Sequence, residues 1–338
     1  MAICVINPGL LTSVQDAGRF GMQRYGMSPA GAMDLHSLRL ANLLVGNDPD
    51  TGALECTYMG PSLKFEEAEV IALAGADMSP SIDGRPVPMG QAISVPAGAV
   101  LKTGTLNSGS RMYIAFAGGL NIPPVNGSQS TFLRSGLGGL EGRRLKSGDR
   151  IGLNHPRETI ENMSLRKLPV PQTFPKNVTV RVVPGPQEDR FTKEGLKTLY
   201  SSEYRISDKS DRMAFRTEGP VIEHVDHDAN ILSDGIPFGA IQVPADGKPI
   251  IMMSEHAGAG GYTKAGTIIS ADIPKVAQLP PGGTVRFTPV DVETAQDIYL
   301  EQKREYERLR SLFEAEYETI YRVTVNGKER MVRLLRVE

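Results

Sequence analysis

The segment Gly239-Ala-Ile-Gln-Val-Pro-Ala-Asp-Gly247 shows the pattern that decides the fold. Its residues 240–243 have the character of a β-strand, and they run into a proline that starts a turn and a glycine that ends it. A similar segment, Gln91-Ala-Ile-Ser-Val-Pro-Ala-Gly98, occurs in the first half of the chain. The similarity is compatible with a duplicated topology and equally with shared turn chemistry. Both segments predict a short strand followed by a tight turn.

This pattern recurs along the 338 residues, which include 36 glycines and 24 prolines. The clearest further strands are predicted at residues 70–74, 92–95, 111–117, 178–183, 249–253 and 284–287. Little helix separates them, which disfavours a parallel sheet with crossover helices and favours a barrel or a sandwich. The predicted fold class is therefore mainly β, with a few helices.

The domain organisation follows from length and from a proline-containing linker. The chain exceeds the usual size of one core, and residues 156–176 carry few periodic positions. We predict an N-terminal domain over residues 1–175, a second domain over 176–290 and an appendage over 291–338. Helices are predicted at 33–45, 189–200 and 292–317, the last lying across the second domain. A hairpin turning at Asn326-Gly327 joins 321–325 to 331–337.

Composition excludes several classes of partner. A formal net charge of -2 provides no electrostatic footprint for nucleic acid or for an anionic membrane. The sequence lacks a signal peptide and a long apolar run, so we expect a cytoplasmic protein. Cys4 and Cys56 have no metal-binding spacing, and His224 and His227 have no third ligand, so no metal site is predicted. We interpret the two histidines as solvated loop residues.

The first glycine-rich block, residues 9–34, contains one set of candidate site residues. A strand ends there in a loop in which Gln15, Asp16 and Arg19 lie between glycines. These side chains supply hydrogen-bond acceptors and a planar donor fork, and the glycines permit close approach to the backbone. A structural role stays open for three of these residues. Asp16 and Arg19 can instead form an ion pair that closes the turn, and Asp34 can instead cap the helix that follows.

The second block, residues 233–264, contains the other candidates. Asp234 is suited to act as an acid, a base or a group that orients a carbonyl, although Asp-Gly is also an ordinary turn. Gln242 is suited to an amide-like substrate. The glycine and alanine residues before Tyr262 suit backbone amides that approach an anion, with Lys264 as the neighbouring cation. The alternative for this run is a mobile hairpin tip.

The spacing in the second block matches neither a P-loop nor a Rossmann motif. Arg212, outside both blocks, is suited to an anionic substrate or to an ordinary ion pair. A G-x-S-x-G elbow is missing, and no Cys/His pairing can be interpreted, which argues against a self-contained serine or cysteine hydrolase.

The sequence motifs in these blocks, and their order along the chain, resemble those of one protein family. The matching motifs are listed in chain order: Gly9-Leu-x-Thr-x-Val-Gln-Asp-x-Gly-Arg19, Ala32-Met-Asp34, Ala41-Asn42 to Val45-Gly-Asn47, Leu54-Glu55 to Gly60-Pro61, Ser233-Asp-Gly-Ile-Pro237 to Gln242-Val-Pro244, and Gly260-Gly-Tyr-x-Lys264. They are similar to the KipA family, also called allophanate hydrolase subunit 2-like or biotin-dependent carboxyltransferase-like, which includes the PxpC component of bacterial 5-oxoprolinase. The similarity extends from about Ile3 to Phe287. The sequence departs from the family at Glu255-His-Ala-Gly-Ala259, where many relatives have an Asp-Arg-Gln-Thr-like stretch.

The resemblance implies two cyclophilin-like β-barrel domains and a complex with a KipI-like (PxpB-like) partner protein. Together with a PxpA-like protein, such complexes open the lactam of 5-oxo-L-proline to L-glutamate at the expense of ATP with Mg²⁺. The same fold serves as the carboxyltransferase domain of urea carboxylase, in which biotin is the cofactor. A third alternative is a non-catalytic regulator that binds the KipI-like partner.

Fitting this chemistry to the residues gives a hypothesis for the site. We expect Lys264 to steady phosphoryl or carboxylate oxygens together with Gly260, Gly261 and Tyr262. Asp234 or Asp16 is expected to handle a proton. The substrate is then expected to be held by Gln242, Arg212, Arg19 and Gln15.

Overall fold

The computed structural model describes residues 2–104, 106–315 and 317–335. Its α-helices are α1 (Leu35–Leu44), α2 (Lys193–Ser201), α3 (Ile273–Ala277) and α4 (Val292–Glu314). Its strands are β1 (Ala2–Asn7), β2 (Leu11–Gln15), β3 (Ala53–Thr57), β4 (Ser62–Phe65), β5 (Glu69–Asp77), β6 (Ser81–Ile82), β7 (Arg85–Pro86), β8 (Ala92–Val95), β9 (Val100–Lys102), β10 (Ser108–Phe116), β11 (Arg150–Gly152), β12 (Asn177–Pro184), β13 (Tyr204–Ile206), β14 (Ala214–Glu218), β15 (Asn230–Gly235), β16 (Ala240–Val243), β17 (Ile250–Met252), β18 (Ala259–Ile268), β19 (Thr284–Pro289), β20 (Tyr317–Val325) and β21 (Lys328–Leu335).

The first half of the chain forms two sheets, of strand order β11-β1-β4-β9-β6-β7 and β2-β3-β10-β5-β8. Side chains from both sheets meet in one core, which includes Val5, Phe65 and Phe116. Strand β5 is buried on both faces: Ile71 and Leu73 belong to that core, while Ala72 and Ala74 pack with α1 on the other side. This double burial explains why the segment is a continuous apolar run instead of an alternating one.

The second half of the chain forms a closed barrel. Seven strands follow one another in the order β12-β19-β13-β14-β17-β16-β18, and β18 pairs with β12 to close the ring. Strand β15 pairs with β18 outside the ring, which makes it an edge strand. The barrel core contains Val180, Phe215, Ile251 and Phe287. The prediction of a mainly β fold with few helices is confirmed.

All the strands predicted from the sequence are present. Segments 92–95 and 240–243 coincide with β8 and β16, and the others differ from the observed strands by a few terminal residues. Strand β8 lies at the edge of its sheet, whereas β16 lies between two barrel strands. The two similar segments therefore form the same local structure, a strand followed by a turn, at two different positions in their sheets.

The helices differ from prediction at their ends. Helix α1 begins at Leu35 because Asp34 caps it, accepting a hydrogen bond from the Ser37 amide at 2.9 Å. The helix predicted to start at residue 189 begins at Lys193 because Thr192 caps it, and Glu188–Arg190 forms a separate 3₁₀ turn. Helix α4 ends at Glu314 instead of residue 317, since Ala315 already leaves helical geometry.

The prediction that α4 lies across the second domain holds for the beginning of the helix, where Val292 and Tyr299 face Val183 and Phe238, but its later turns lie on the first half. Its buried residues Leu309 and Phe313 pack into the α1 cluster of the first half, and Tyr306 OH lies 2.6 Å from His36 Nδ1. Strands β20 and β21 then form the predicted hairpin around Asn326 and Gly327, both with positive φ. Residues 336 and 337 of the predicted hairpin lie outside the described residues.

The domain bounds 1–175, 176–290 and 291–338 stay a prediction. Within the described part of the chain, no helix is both long and apolar enough to cross a membrane.

Candidate active site

Three neighbouring strands bring Asp234, Gln242 and Lys264 together. In the β15–β18 pair Asp234 lies opposite Gly260, and in the β16–β18 pair Gln242 lies opposite Lys264. Lys264 Nζ donates to Asp234 Oδ2 at 2.8 Å. The lysine side chain is 4% exposed and the aspartate side chain 53% exposed, so the ion pair runs from the protein interior to its surface.

The pKa of Asp234 is lowered by this surrounding. The Lys264 hydrogen bond contributes most, followed by a hydrogen bond from the Gly235 amide and by the lysine charge. The carboxylate therefore stays ionised over the neutral range. It is suited to hold a cation and poorly suited to release a proton.

Gln187 is a site neighbour that the sequence analysis missed. Its Oε1 accepts a hydrogen bond from the Lys264 amide at 3.2 Å, and its Nε2 lies 3.5 Å from Asp234 Oδ2. Gln187 lies just before the 3₁₀ turn Glu188–Arg190, far from both glycine-rich blocks in sequence. No local pattern marks such a residue, because only the tertiary fold brings it to β18.

The Gln242 Nε2 atom, on the strand next to Lys264, is buried without a hydrogen-bond partner in the described part of the chain. The residue is 5% exposed. Buried polar atoms are nearly always paired in native proteins. Gly260 leaves room for this amide, since a Cβ there would lie 3.2 Å from Gln242 Nε2. A ligand oxygen is the partner that this donor fits.

The last three residues of the glycine-rich run before Tyr262 lie in strand β18, and Ala257 and Gly258 precede the strand. Gly260 and Gly261 belong to β18; Gly260 pairs with Asp234 of β15, and the register of the two strands shifts at Gly261. Tyr262 is 43% exposed and lies opposite Asn230. A Cβ at Gly260 would displace the ends of the Ile236 and Gln242 side chains, which occupy the space above it.

The structure places Asp16 in a different cluster, with the segment 125–131. The Asp16 carboxylate accepts hydrogen bonds from four donors: Ser128 Oγ at 2.7 Å, Ser130 Oγ at 2.5 Å, the Gln129 amide at 2.5 Å and the Gly18 amide at 2.8 Å. With its oxygens occupied in this way, Asp16 holds two loops together.

Arg19 and Gln15 belong to the same cluster as Asp16. Arg19 is fully buried and donates to the carbonyl oxygens of Val125 and Ser130 at 2.9 and 2.7 Å. Gln15 Nε2 donates to Ser13 Oγ at 2.9 Å and to Thr131 O at 3.1 Å. Burial lowers the pKa of Arg19, although Asp16 partly offsets this. These contacts fix a loop, and none of them involves Lys264.

Arg212 is the centre of a buried ion network between the two halves. Its Nε donates to Glu255 Oε1 at 2.7 Å, its Nη1 contacts Glu55, and its Nη2 donates to Gly31 O at 2.6 Å. Tyr113 OH donates to Glu55 Oε2 at 2.7 Å. Burial disfavours the charge on Arg212, but the two carboxylates outweigh it and raise the pKa of Arg212.

The first residue of the stretch 255–259, which departs from the family, belongs to this network. Glu255 is 3% exposed and reaches Arg212 from the second half of the chain. His256 is buried as well and stacks on Phe238 with ring centroids 6.4 Å apart. Glu55 belongs to one of the family motifs, but its role as a partner of Arg212 was not predicted, although a single carboxylate inside the apolar strand β3 was a signal.

Asp34 and His224 also have defined structural partners. Asp34 caps α1 and accepts a hydrogen bond from Gln278 Nε2 at 2.7 Å, which joins α1 to the end of α3. His224 is 6% exposed, with Nε2 2.9 Å from Thr263 Oγ1 and its ring against Phe191. The interpretation of His224 as a solvated loop residue is therefore wrong: its ring fills a gap beside β18.

Comparison with known proteins places this arrangement in a family. The family model of the carboxyltransferase domain, subdomain A and B, matches residues 25–289. The chain belongs to this carboxyltransferase family. The match covers Asp234, Gln242 and Lys264 as well as the Arg212 network.

Members of the carboxyltransferase family that resemble this chain differ in size. The C subunit of the 5-oxoprolinase of Escherichia coli strain K12 is 37% identical over 306 residues, which cover 90% of this chain and 96% of that protein. The urea amidolyase of Saccharomyces cerevisiae is 33% identical over 316 residues, 88% of this chain but 17% of that protein. The crystal structure of the K. lactis urea amidolyase superimposes with a TM-score of 0.84 at 32% identity, covering 91% of this chain and 20% of that chain.

Proposed function

We propose that this chain is the PxpC-type component of an ATP-dependent 5-oxoprolinase, which opens 5-oxo-L-proline to L-glutamate together with PxpA-like and PxpB-like proteins. The observation that carries the proposal is the unpaired Gln242 amide beside the Lys264–Asp234 ion pair. A buried neutral donor and a buried cation, side by side, suit the oxygens of a lactam and of its carboxylate. The near full-length similarity to a 5-oxoprolinase C subunit supports the same conclusion.

Each residue has a separate role in this proposal. Gln242 Nε2 donates to the substrate carbonyl oxygen and orients it. The Lys264 ammonium stabilises negative charge that develops on oxygen during ring opening. Asp234 keeps the ammonium in position, since its lowered pKa favours the ionised form that holds a cation. The proton transfers are then left to groups other than Asp234 and Asp16.

A lactam is a poor electrophile. ATP with Mg²⁺ would supply a phosphoryl group to the lactam oxygen, which would activate the carbonyl carbon for attack by water. The donors of this chain that fit phosphoryl oxygens are Lys264 Nζ and Gln242 Nε2, one charged and one without a protein acceptor. Among the described residues, no three His, Cys, Asp or Glu side chains group as metal ligands. We propose that the Mg²⁺ is held by the nucleotide and by the partner proteins, of the KipI-like (PxpB-like) and PxpA-like types.

The experiment that tests the function is reconstitution from the three purified proteins. We expect glutamate to be released from 5-oxo-L-proline only when ATP and all three proteins are present. Omission of this chain should abolish release, and adding it back should restore it. Release at the same rate without this chain would contradict the proposal.

A second candidate is a carboxyltransferase component that uses biotin supplied by another protein. The observation that favours it is the family model itself, together with the similarity to urea amidolyase. The two candidates separate in one assay: a carboxyltransferase requires a biotinylated carrier protein, and a 5-oxoprolinase does not. Avidin added to the reconstituted system would stop a carboxyltransferase reaction and leave a 5-oxoprolinase reaction unchanged. Binding to the KipI-like partner without turnover in either assay would indicate a regulator.

A further inference from the structure

A cleft of about 380 Å³ between the two halves of the chain lies apart from the Lys264–Asp234 pair. Its walls include Thr57, Arg111, Arg134, Arg144, Arg212 and Glu255. We call it the Arg111 cleft. Strands β3 and β10 supply Thr57 and Arg111, while the second half supplies Arg212 and Glu255.

Two side-chain atoms in the wall of the Arg111 cleft are buried without a partner. Arg111 is 3% exposed and Thr57 6% exposed, and neither Arg111 Nε nor Thr57 Oγ1 has a hydrogen-bond partner in the described part of the chain. The two residues lie directly opposite each other in the β3–β10 register, so their side chains are neighbours on one face. Arg111 Nε can only donate and the hydroxyl can donate as well, so together they fit a ligand that accepts hydrogen bonds.

The charge around the Arg111 cleft favours an anion. The lining holds four arginines, Arg111, Arg134, Arg144 and Arg212, against two carboxylates, Asp211 and Glu255. Arg212 is paired with Glu255 and with Glu55. Arg111 has no carboxylate within ion-pair distance among the described residues; its Nη1 donates to Ala277 O, and its guanidinium lies over the Phe215 ring, 5.4 Å from the centroid. A buried cation that no protein anion compensates is costly. The exposed Arg134 and Arg144 add positive charge at the mouth.

We propose that the Arg111 cleft is a binding site for a small carboxylate. One carboxylate oxygen accepts from Arg111 Nε and from Thr57 Oγ1, while Arg134 and Arg144 attract the anion from solution. The volume fits a molecule of a few carbon atoms. The Ala277 carbonyl and the Phe215 ring hold the guanidinium in place, so little side-chain freedom is lost on binding. This site goes beyond the proposed function and does not depend on it.

The test is calorimetric titration of the full chain, alone and in the reconstituted complex, with acetate, L-glutamate and 5-oxo-L-proline, and with phosphate and chloride as comparison anions. We expect saturable binding of at least one carboxylate, with phosphate and chloride at least about tenfold weaker. Arg111→Gln should weaken carboxylate binding at least about tenfold, the effect of losing one charge-assisted hydrogen bond. Arg150→Gln, which changes an exposed arginine outside the cleft, should have no effect.

Thr57→Val separates binding from folding. The substitution removes a hydroxyl that has no partner, so the thermal stability of the free protein should be unchanged or higher. Carboxylate binding should nevertheless weaken several-fold. The proposal is overturned if no carboxylate binds in either preparation, if all anions bind alike, or if Thr57→Val and Arg111→Gln both bind as the parent does. Because the readout is binding and not glutamate release, its failure leaves the proposed function untouched.

Discussion

Lys264 and Asp234 are joined by a hydrogen bond of 2.8 Å in which the lysine is buried and the aspartate lies at the surface. This asymmetry matters because a buried ammonium needs its counter-ion to stay charged. The neighbouring Gln242 amide adds a donor that has no acceptor among the described residues. Strands β16 and β18 thus supply two neighbouring donors, and β15 supplies the carboxylate that holds one of them.

The titration of Asp234 reports directly on this pair. We predict that its pKa in the folded protein lies below the ordinary value of about 3.9, and that Lys264→Met raises it toward that value. A depressed aspartate pKa contributes stability that is present above the unfolded-state pKa and is lost as pH falls through the folded-state pKa. Carboxyl carbon NMR shifts followed against pH measure it. An identical titration in parent and Lys264→Met would show that the ion pair is not formed in solution.

Gly260→Ala tests whether room for the Gln242 amide is needed. The new Cβ would lie 2.7 Å from Ile236 Cδ1 and 3.2 Å from Gln242 Nε2, both at the ends of side chains that can move. We predict a change in unfolding free energy below about 1.5 kcal/mol, but a clear loss of glutamate release in the reconstituted complex. Gly235→Ala is the control, since its Cβ would meet nothing within 4 Å. Equal activity of the two variants would argue against a role for Gln242.

The Arg212 network is predicted to stabilise the contact between the two halves. Arg212→Met leaves Glu55 and Glu255 buried without their cation, which should cost about 3–5 kcal/mol of unfolding free energy. Glu218→Gln, which breaks the exposed pair with Arg205, should cost about 0–1 kcal/mol. Urea denaturation of both variants measures the difference. A loss below about 1 kcal/mol in Arg212→Met would contradict the assigned burial of this network.

Asp16 is predicted to act on stability and not on turnover. Both carboxylate oxygens of Asp16 accept hydrogen bonds, whereas an asparagine side chain has one oxygen. Asp16→Asn should therefore lower the free energy of unfolding by about 2–4 kcal/mol. Asp228→Asn, at an exposed pair with Arg190, should lose less than about 1 kcal/mol. The folded fraction of Asp16→Asn should support glutamate release at the parental kcat. A large loss of kcat with unchanged stability would instead return Asp16 to the catalytic site.

Much of the fold could be predicted because short local sequence patterns determine many of its strands and turns. The strand and turn patterns in residues 92–98 and 240–247 predicted the first and last residues of β8 and β16 correctly. The family resemblance implied β-barrels, but the particular β12–β18 pair that closes one could not be predicted, since no local pattern encodes a pairing between strands so distant in sequence. The predicted helix 292–317 ran to Tyr317, whereas α4 ends at Glu314 and Tyr317 begins β20.

The candidate site was predicted where strands adjacent in sequence build it. Asp234, Gln242 and Lys264 fall within one block because β15, β16 and β18 are neighbours in the sheet. The roles of Gln187, Glu55 and Arg111 were missed because they arise only from contacts across the fold. A charged residue inside an apolar strand, as at Glu55, was one signal that the sequence offered.

The central claim is that Lys264, held by Asp234, serves lactam opening in the three-protein complex. The most direct measurement is the rate of ATP-dependent glutamate release from 5-oxo-L-proline by complexes that contain Lys264→Ala or Asp234→Asn. Lys275→Ala and Asp228→Asn, which break ion pairs elsewhere, are the matched controls. We predict a loss of about 100-fold or more for Lys264→Ala, a smaller loss for Asp234→Asn, and parental rates for both controls. Parental rates for Lys264→Ala and Asp234→Asn in correctly assembled complexes would contradict the claim.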